Sequence, residues 1–131
     1  MTNELNKSVE ELGHPKSSPP AGGGVRGGFK LSMLLPPKPD PRKWTLARQV
    51  GVNYAITKAM PSLSGRNAPY DLEALKAVKQ DFADAGFNLY GLEGDQFDMQ
   101  PIKLGLPNRD EWIEKYQQMI RNMAQLEIPL L

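Results

Sequence analysis

The chain has 131 residues, 40% of them apolar, and its 16 Lys and Arg against 15 Asp and Glu leave a formal charge of +1, which is the scale of one small globular domain. The charges are interspersed without like-charge blocks, so neither nucleic acid nor a polybasic membrane contact is indicated. No apolar run approaches the roughly 18 residues of a membrane span, and no signal-peptide core opens the chain. With no cysteine, a disulfide framework and a cysteine-ligated zinc site are both excluded within these residues, and a cytoplasmic setting is expected.

Residues 1 to 28 carry Ser17-Ser18-Pro19-Pro20, Gly22-Gly23-Gly24 and Gly27-Gly28 with almost nothing large and apolar to bury. Such a segment cannot offset its ordering entropy and is expected to be a disordered tail ahead of a folded domain over 29–131. His14, the only histidine, falls in it and reads as a solvated residue, because a metal site needs several ligands held by a packed shell. The glycine cluster is no phosphate loop, since no strand precedes it and no GK[ST] follows.

From Phe29 to Leu35 alternation passes into an apolar run, which predicts a strand ended by Pro36-Pro37. Asp40-Pro41 reads as an N-cap with proline in the first turn, and Trp44, Leu46, Ala47 and Val50 recur at helical spacing up to Gly51. Val52–Thr57 is rich in β-formers and predicts a second strand, followed by a loop containing Pro61, Gly65 and Pro69. Asp71 then opens a second helix with Leu72, Leu75, Val78 and Phe82 on one face, ended by Gly86. Phe87–Leu92 predicts a third strand. After an irregular stretch with Pro101, Gly105 and Pro107, a third helix starts near Arg109 or Asp110. Its stripe is Trp112, Ile113, Tyr116, Met119, Ile120 and Met123, with Glu111 supporting Lys115. Trp44, Trp112, Met119 and Met123 read as core packing. Ile128–Leu131 predicts the first half of a fourth, buried strand; an apolar finish of this kind leads us to expect that the chain is the opening portion of a longer protein.

Residues 47–53, 83–88 and 124–129 share one grammar: a helix end, a single joint residue at 51, 86 or 127, and a strand. That spacing is the period of a βα unit and predicts a parallel sheet with helices outside and right-handed crossovers. Three units do not decide between an open sheet and an eight-fold barrel, which needs roughly 250 residues.

The stretch Leu104-Gly105-Leu106-Pro107-Asn108-Arg109-Asp110-Glu111-Trp112-Ile113, continued by Tyr116-Gln117-Gln118 and Ile120-Arg121-Asn122-Met123 up to Ile128, resembles the mannonate dehydratase family. Trp44–Val52 is similar to that family's first helix and second strand, so the resemblance covers about residues 29–131. It implies part of a (β/α)8 TIM barrel like xylose isomerase, about three βα units and the start of a fourth strand. It also implies dehydration of D-mannonate to 2-dehydro-3-deoxy-D-gluconate in hexuronate catabolism, assisted by manganese or iron(II). That chemistry calls for a base beside the carboxylate, a metal ion on the enediolate and an acid for the departing hydroxyl. The family's histidine, cysteine and aspartate ligands lie beyond position 131, so the resemblance carries no metal ligand or catalytic residue onto this chain. Asn108 stands where the family commonly has glycine, and a His-bearing segment that some members place after the third strand is missing, so substrate preference within the family stays open.

In parallel barrels the ligand meets the C-terminal strand ends. That places Lys38, Lys58, Glu93 and Asp95 on the expected face, with Glu93 a candidate to orient a hydroxyl or hold a metal-bound water and Lys58 and Arg66 candidates for a substrate carboxylate. The plainer reading of each is a solvated or ion-paired loop charge. Two other function classes stay open beside the dehydratase. One is a sugar isomerase or epimerase on the same barrel; the other is a non-catalytic truncated product whose exposed strand edges recruit a partner or lead to aggregation. Oligomeric state is not legible.

Overall fold

The computed structural model describes residues 28–131; the tail expected over 1–28, His14 included, lies outside them except for Gly28. Among the described residues three strands alternate with five helices. They are β1 (Ser32–Leu34), α1 (Pro41–Gln49), β2 (Tyr54–Thr57), α2 (Pro61–Ser64), α3 (Leu72–Asp84), β3 (Asn88–Leu92), α4 (Gln100–Lys103) and α5 (Arg109–Gln125). The strands form one parallel sheet in the order β1-β2-β3. It is an open α/β sheet, consistent with part of a barrel.

Both helix starts anticipated at aspartates are present. The Asp40 carboxylate accepts the amides of Arg42 and Lys43, each at 3.0 Å, with Pro41 in the first turn. Asp71 accepts from Glu73 and Ala74 at 3.0 and 3.3 Å, and Asn67 donates to its other oxygen at 2.7 Å. These contacts favour the ionised form. Asp71 titrates below the ordinary value of 3.8 because of the Asn67 bond first and the Ala74 and Glu73 amides after it.

The helix ends follow one rule. Gly51, Gly86 and Glu127 have φ of 80°, 84° and 54°. At each, the left-handed residue's amide returns three residues, to Arg48, Ala83 or Ala124, and the next amide returns five, to Ala47, Phe82 or Met123, over 2.9 to 3.1 Å. This is a left-handed helix cap, and in each case the apolar residue after it, Val52, Phe87 or Ile128, is buried in the core. The backbone reverses in the same hydrogen-bonded way each time.

Packing between sheet and helices rests on aromatic contacts. Trp44 of α1 stacks on Phe82 of α3 at 4.5 Å and meets Phe87 edge-on at 5.8 Å, while its indole donates to the Pro36 carbonyl at 3.3 Å. On α5, Met119 and Met123 are buried as expected, Trp112, Ile113 and Tyr116 are half-buried, and Ile120 is exposed. Buried Asn122 donates to the Pro69 and Tyr70 carbonyls at 3.0 and 2.9 Å and accepts from Gln118 at 2.9 Å, fixing α5 to the segment that leads into α3. Glu111 and Lys115 pair at 2.6 Å.

Several expectations are corrected. The strand anticipated from Phe29 is paired only from Ser32, whose partner Tyr54 is the first residue of β2; Phe29 and Leu31 have no strand partner among the described residues and are exposed. On α1, Leu46 and Val50 lie on the exposed side although they share the helical spacing of buried Trp44 and Ala47. The two stretches read as irregular hold the short helices α2 and α4, each with a proline in its first turn, where a missing N–H costs nothing. The fourth strand is a single parallel bridge, Gly91 to Leu130. Ile128 is buried, but Leu130 and Leu131 are not. Between β2 and β3 the register also shifts: Ala55 faces Leu89, yet Ile56 faces Gly91 and Thr57 faces Leu92, so Tyr90 is an extra residue.

A Cβ at Gly86 meets nothing within 4 Å, so the cost of Gly86→Ala is the strain of an L side chain at φ 84° and should be about 1 kcal/mol, whereas Glu127→Gly relieves a left-handed non-glycine residue and should add up to about 1 kcal/mol, both read by urea denaturation. Asp71→Ala should lower the melting temperature at pH 7. Since the folded carboxylate is ionised to lower pH than its unfolded counterpart at 3.8, its contribution is complete above that value and drains as pH falls below it, so the gap between variant and wild type should close in acid.

Candidate functional site

The C-terminal ends of the strands are joined by polar contacts that continue the sheet past its last paired residues. The Leu35 amide donates to the Ile56 carbonyl at 2.9 Å, and the buried Thr57 hydroxyl donates to the Leu35 carbonyl at 2.7 Å. One rung further, the Glu93 amide donates to the Thr57 carbonyl at 2.9 Å. Lys58 and Glu93 therefore leave adjacent strands side by side.

Beyond that rung Gln96 takes over. It is 2% exposed; its carboxamide oxygen accepts the Ala59 amide at 2.7 Å, and its nitrogen donates to the Glu93 and Gly94 carbonyls at 2.8 and 3.0 Å. The neighbouring Phe97 is buried within reach of Tyr70, Trp112 and Tyr116, at ring separations of 5.3, 5.8 and 6.4 Å. A cleft of about 310 Å³ opens next to this loop, lined by Gly94, Asp95, Gln96, Met99, Tyr116 and Leu131.

The residues singled out in the sequence fall into two groups. Lys58 is half-buried, with its ammonium 3.9 Å from where a Cβ on Gly94 would stand, and Glu93 is exposed. Neither side chain forms an ion pair with another described residue. The other charges are engaged elsewhere. Arg66 binds Asp81 of α3 at 2.8 Å, Asp95 binds Lys103 of α4 at 2.5 Å, and the Lys38 ammonium lies against Gly65, 2.7 Å from a Cβ placed there. Sequence reasoning overlooked Gln96, a lone amide in a loop that no motif or periodicity marks.

A metal ion would need several converging donors. Among the described residues no three His, Cys, Asp or Glu side chains gather closely enough to hold one, so these residues do not fit a metal centre. None of the helices among them is long and apolar enough to cross a membrane.

The family model of D-mannonate dehydratase (UxuA) matches residues 37–131. The chain belongs to the D-mannonate dehydratase family. The match starts after β1, so the resemblance over 29–36 is not part of it. The mannonate dehydratase of Lactococcus lactis subsp. cremoris is 34% identical over 86 residues, covering 66% of this chain and 23% of the relative. That of Brachyspira hyodysenteriae is 39% identical over 70 residues, 53% of this chain and 19% of the relative, and that of Thermotoga petrophila 36% over 62 residues, 47% and 17%. The chain thus spans about a fifth of the length of the curated mannonate dehydratases it matches. No solved structure matches it significantly.

The wall of the cleft supplied by Leu131 depends on how closely this dehydratase-family chain passes β3 at Gly91. A Cβ on Gly91 would stand 2.9 Å from Leu130 Cβ and 3.1 Å from its carbonyl oxygen, which only a shift of backbone relieves. Gly91→Ala is expected to break the bridge. In hydrogen exchange the Leu92 amide, bound to the Leu130 carbonyl at 3.0 Å, should lose protection, while the Glu93 amide, bound to Thr57 at 2.9 Å, should keep it.

Proposed function

We propose that this chain provides early βα units of a (β/α)8 barrel that dehydrates D-mannonate to 2-dehydro-3-deoxy-D-gluconate in cytoplasmic hexuronate catabolism. The observation that carries the reading is the family match over 37–131, and the parallel sheet of alternating strands and helices is the architecture such a barrel is built from. The substrate is a small sugar acid. The reaction removes a proton next to the carboxylate and expels a hydroxyl as water, and a divalent metal, manganese or iron(II), belongs to that chemistry. Its ligands and the acid and base are assigned to strands beyond those described, in keeping with a chain that matches about a fifth of each relative. This segment's part is substrate binding. The Lys58 ammonium meets the carboxylate and Glu93 accepts from a substrate hydroxyl, while Arg66 contributes only if substrate displaces Asp81, to which it is bound at 2.8 Å.

The test compares the 131-residue chain with the same chain fused to the remaining strands of the Lactococcus lactis relative. With D-mannonate and manganese, release of the 2-oxo acid is expected from the fusion alone, and calorimetry should find no tight manganese binding by the chain on its own. Lys58→Met in the fusion should raise KM about 10- to 100-fold, the worth of one hydrogen bond to a charged group. Turnover by the unfused chain would relocate the chemistry to Lys58, Glu93 and their neighbours; an unchanged KM would remove Lys58 from the site.

A further inference from the structure

We propose that Gln96 is a positioning residue, a side-chain rung that holds Lys58 and Glu93 in fixed relation at the strand ends; it rests on the reading of those ends as the substrate site. The backbone ladder between β2 and β3 closes with the Glu93 amide on the Thr57 carbonyl at 2.9 Å. Beyond that point the two chains must diverge, one toward α2 and the other through the left-handed turn at Gly94, φ 73°. Gln96 bridges the gap, taking the Ala59 amide on one side and the Glu93 and Gly94 carbonyls on the other at 2.7, 2.8 and 3.0 Å.

Only a carboxamide satisfies all three groups at once, because it joins an acceptor to a two-proton donor. A carboxylate would accept from Ala59 but turn its second oxygen on two carbonyls, and an apolar side chain would leave buried polar atoms unpaired. The clamp is itself held in place, since the next residue, Phe97, is buried among Tyr70, Trp112 and Tyr116. The groups it grips adjoin the two charges, neither of which is ion-paired among the described residues: Ala59 follows Lys58, and the Glu93 carbonyl belongs to Glu93 itself. The Lys58 ammonium lies over Gly94, the third residue it fixes. A substrate carboxylate and hydroxyl are recognised only if their two partners keep their separation, which a mobile loop does not ensure.

The test uses the 131-residue chain with Gln96→Met and Gln96→Glu, followed by NMR at a temperature where circular dichroism shows each folded. In Gln96→Met the Ala59 amide should exchange at least tenfold faster, and the Lys58 Cε and Glu93 Cδ resonances should move, while the Trp44 indole signal stays in place. Gln96→Glu should recover much of the Ala59 protection and Lys58 resonance in acid, where the protonated carboxyl accepts from Ala59 and donates its one proton to the Glu93 or the Gly94 carbonyl, and lose them as pH rises and it ionises. The charges facing this position are Lys58, Glu93 and the Asp95–Lys103 pair, so the Ala59 amide, which does not titrate, is the reporter. If Gln96→Met fails to fold, the two pH limits of Gln96→Glu carry the comparison within one molecule. A folded Gln96→Met with unchanged Ala59 exchange and Lys58 resonance, or a Gln96→Glu without recovery in acid, overturns the proposal. These readouts need no turnover; a verified clamp together with a Lys58→Met fusion of unaltered KM would defeat the substrate reading and leave the clamp standing.

Discussion

Each helix that feeds the sheet ends on one residue at positive φ, and the parallel arrangement depends on that reversal. A parallel neighbour requires the chain to travel back along the outside of the sheet and re-enter at the same end. Here α1 and α3 deliver β2 and β3 through Gly51 and Gly86, and α5 delivers the bridge at Leu130 through Glu127. The reversal is followed at once by a buried apolar side chain, so one local hydrogen-bond pattern sets both the direction of the strand and the first residue it gives to the core. Gly51 and Gly86 adopt this conformation without steric penalty. At Glu127 the same geometry is held against the residue's own preference, with help from Lys79 of α3, whose ammonium donates to the adjacent Leu126 carbonyl.

What those joints begin, a few long-range contacts complete. Trp44 ties α1 to α3 and to the entry of β3, and Asn122 ties α5 to the segment before α3. Both are polar-ended groups with their polar atoms satisfied inside the fold, and no buried side-chain nitrogen or oxygen among the described residues lacks a partner. Satisfied polar groups in a core specify a single arrangement more sharply than apolar area alone. They fix which helix lies against which, and thereby which loops meet at the strand ends.

The features legible in the sequence are those whose cause is local. Asp40-Pro41 and Asp71 announce helix starts because a carboxylate satisfies amides two and three residues ahead of it, and the joints at 51, 86 and 127 announce helix ends for a similar reason. Position at a strand end was legible too, which is why Lys58 and Glu93 fall together. What escaped depends on partners distant in sequence. Arg66 is drawn to Asp81 across a helix. Leu46 and Val50 share the spacing of the buried residues but not their surroundings. Gln96 acquires its meaning only when Ala59 is brought within 2.7 Å. The short helices α2 and α4 hide in proline-bearing stretches that read equally as loops.

The extra residue at Tyr90 has an effect out of proportion to its size. A strand presents successive side chains to opposite surfaces, so a strictly alternating β3 would turn Leu92 to the side opposite Leu89. Because the register slips by one at Tyr90, Leu92 is paired with Thr57 and both are buried. Glu93, next in the chain, inherits the corrected phase and stands beside Lys58, its amide bound to the Thr57 carbonyl. Strict alternation would otherwise have sent the two charges to opposite faces of the sheet; a sequence that gained or lost one residue there could keep every strand and helix and still separate them.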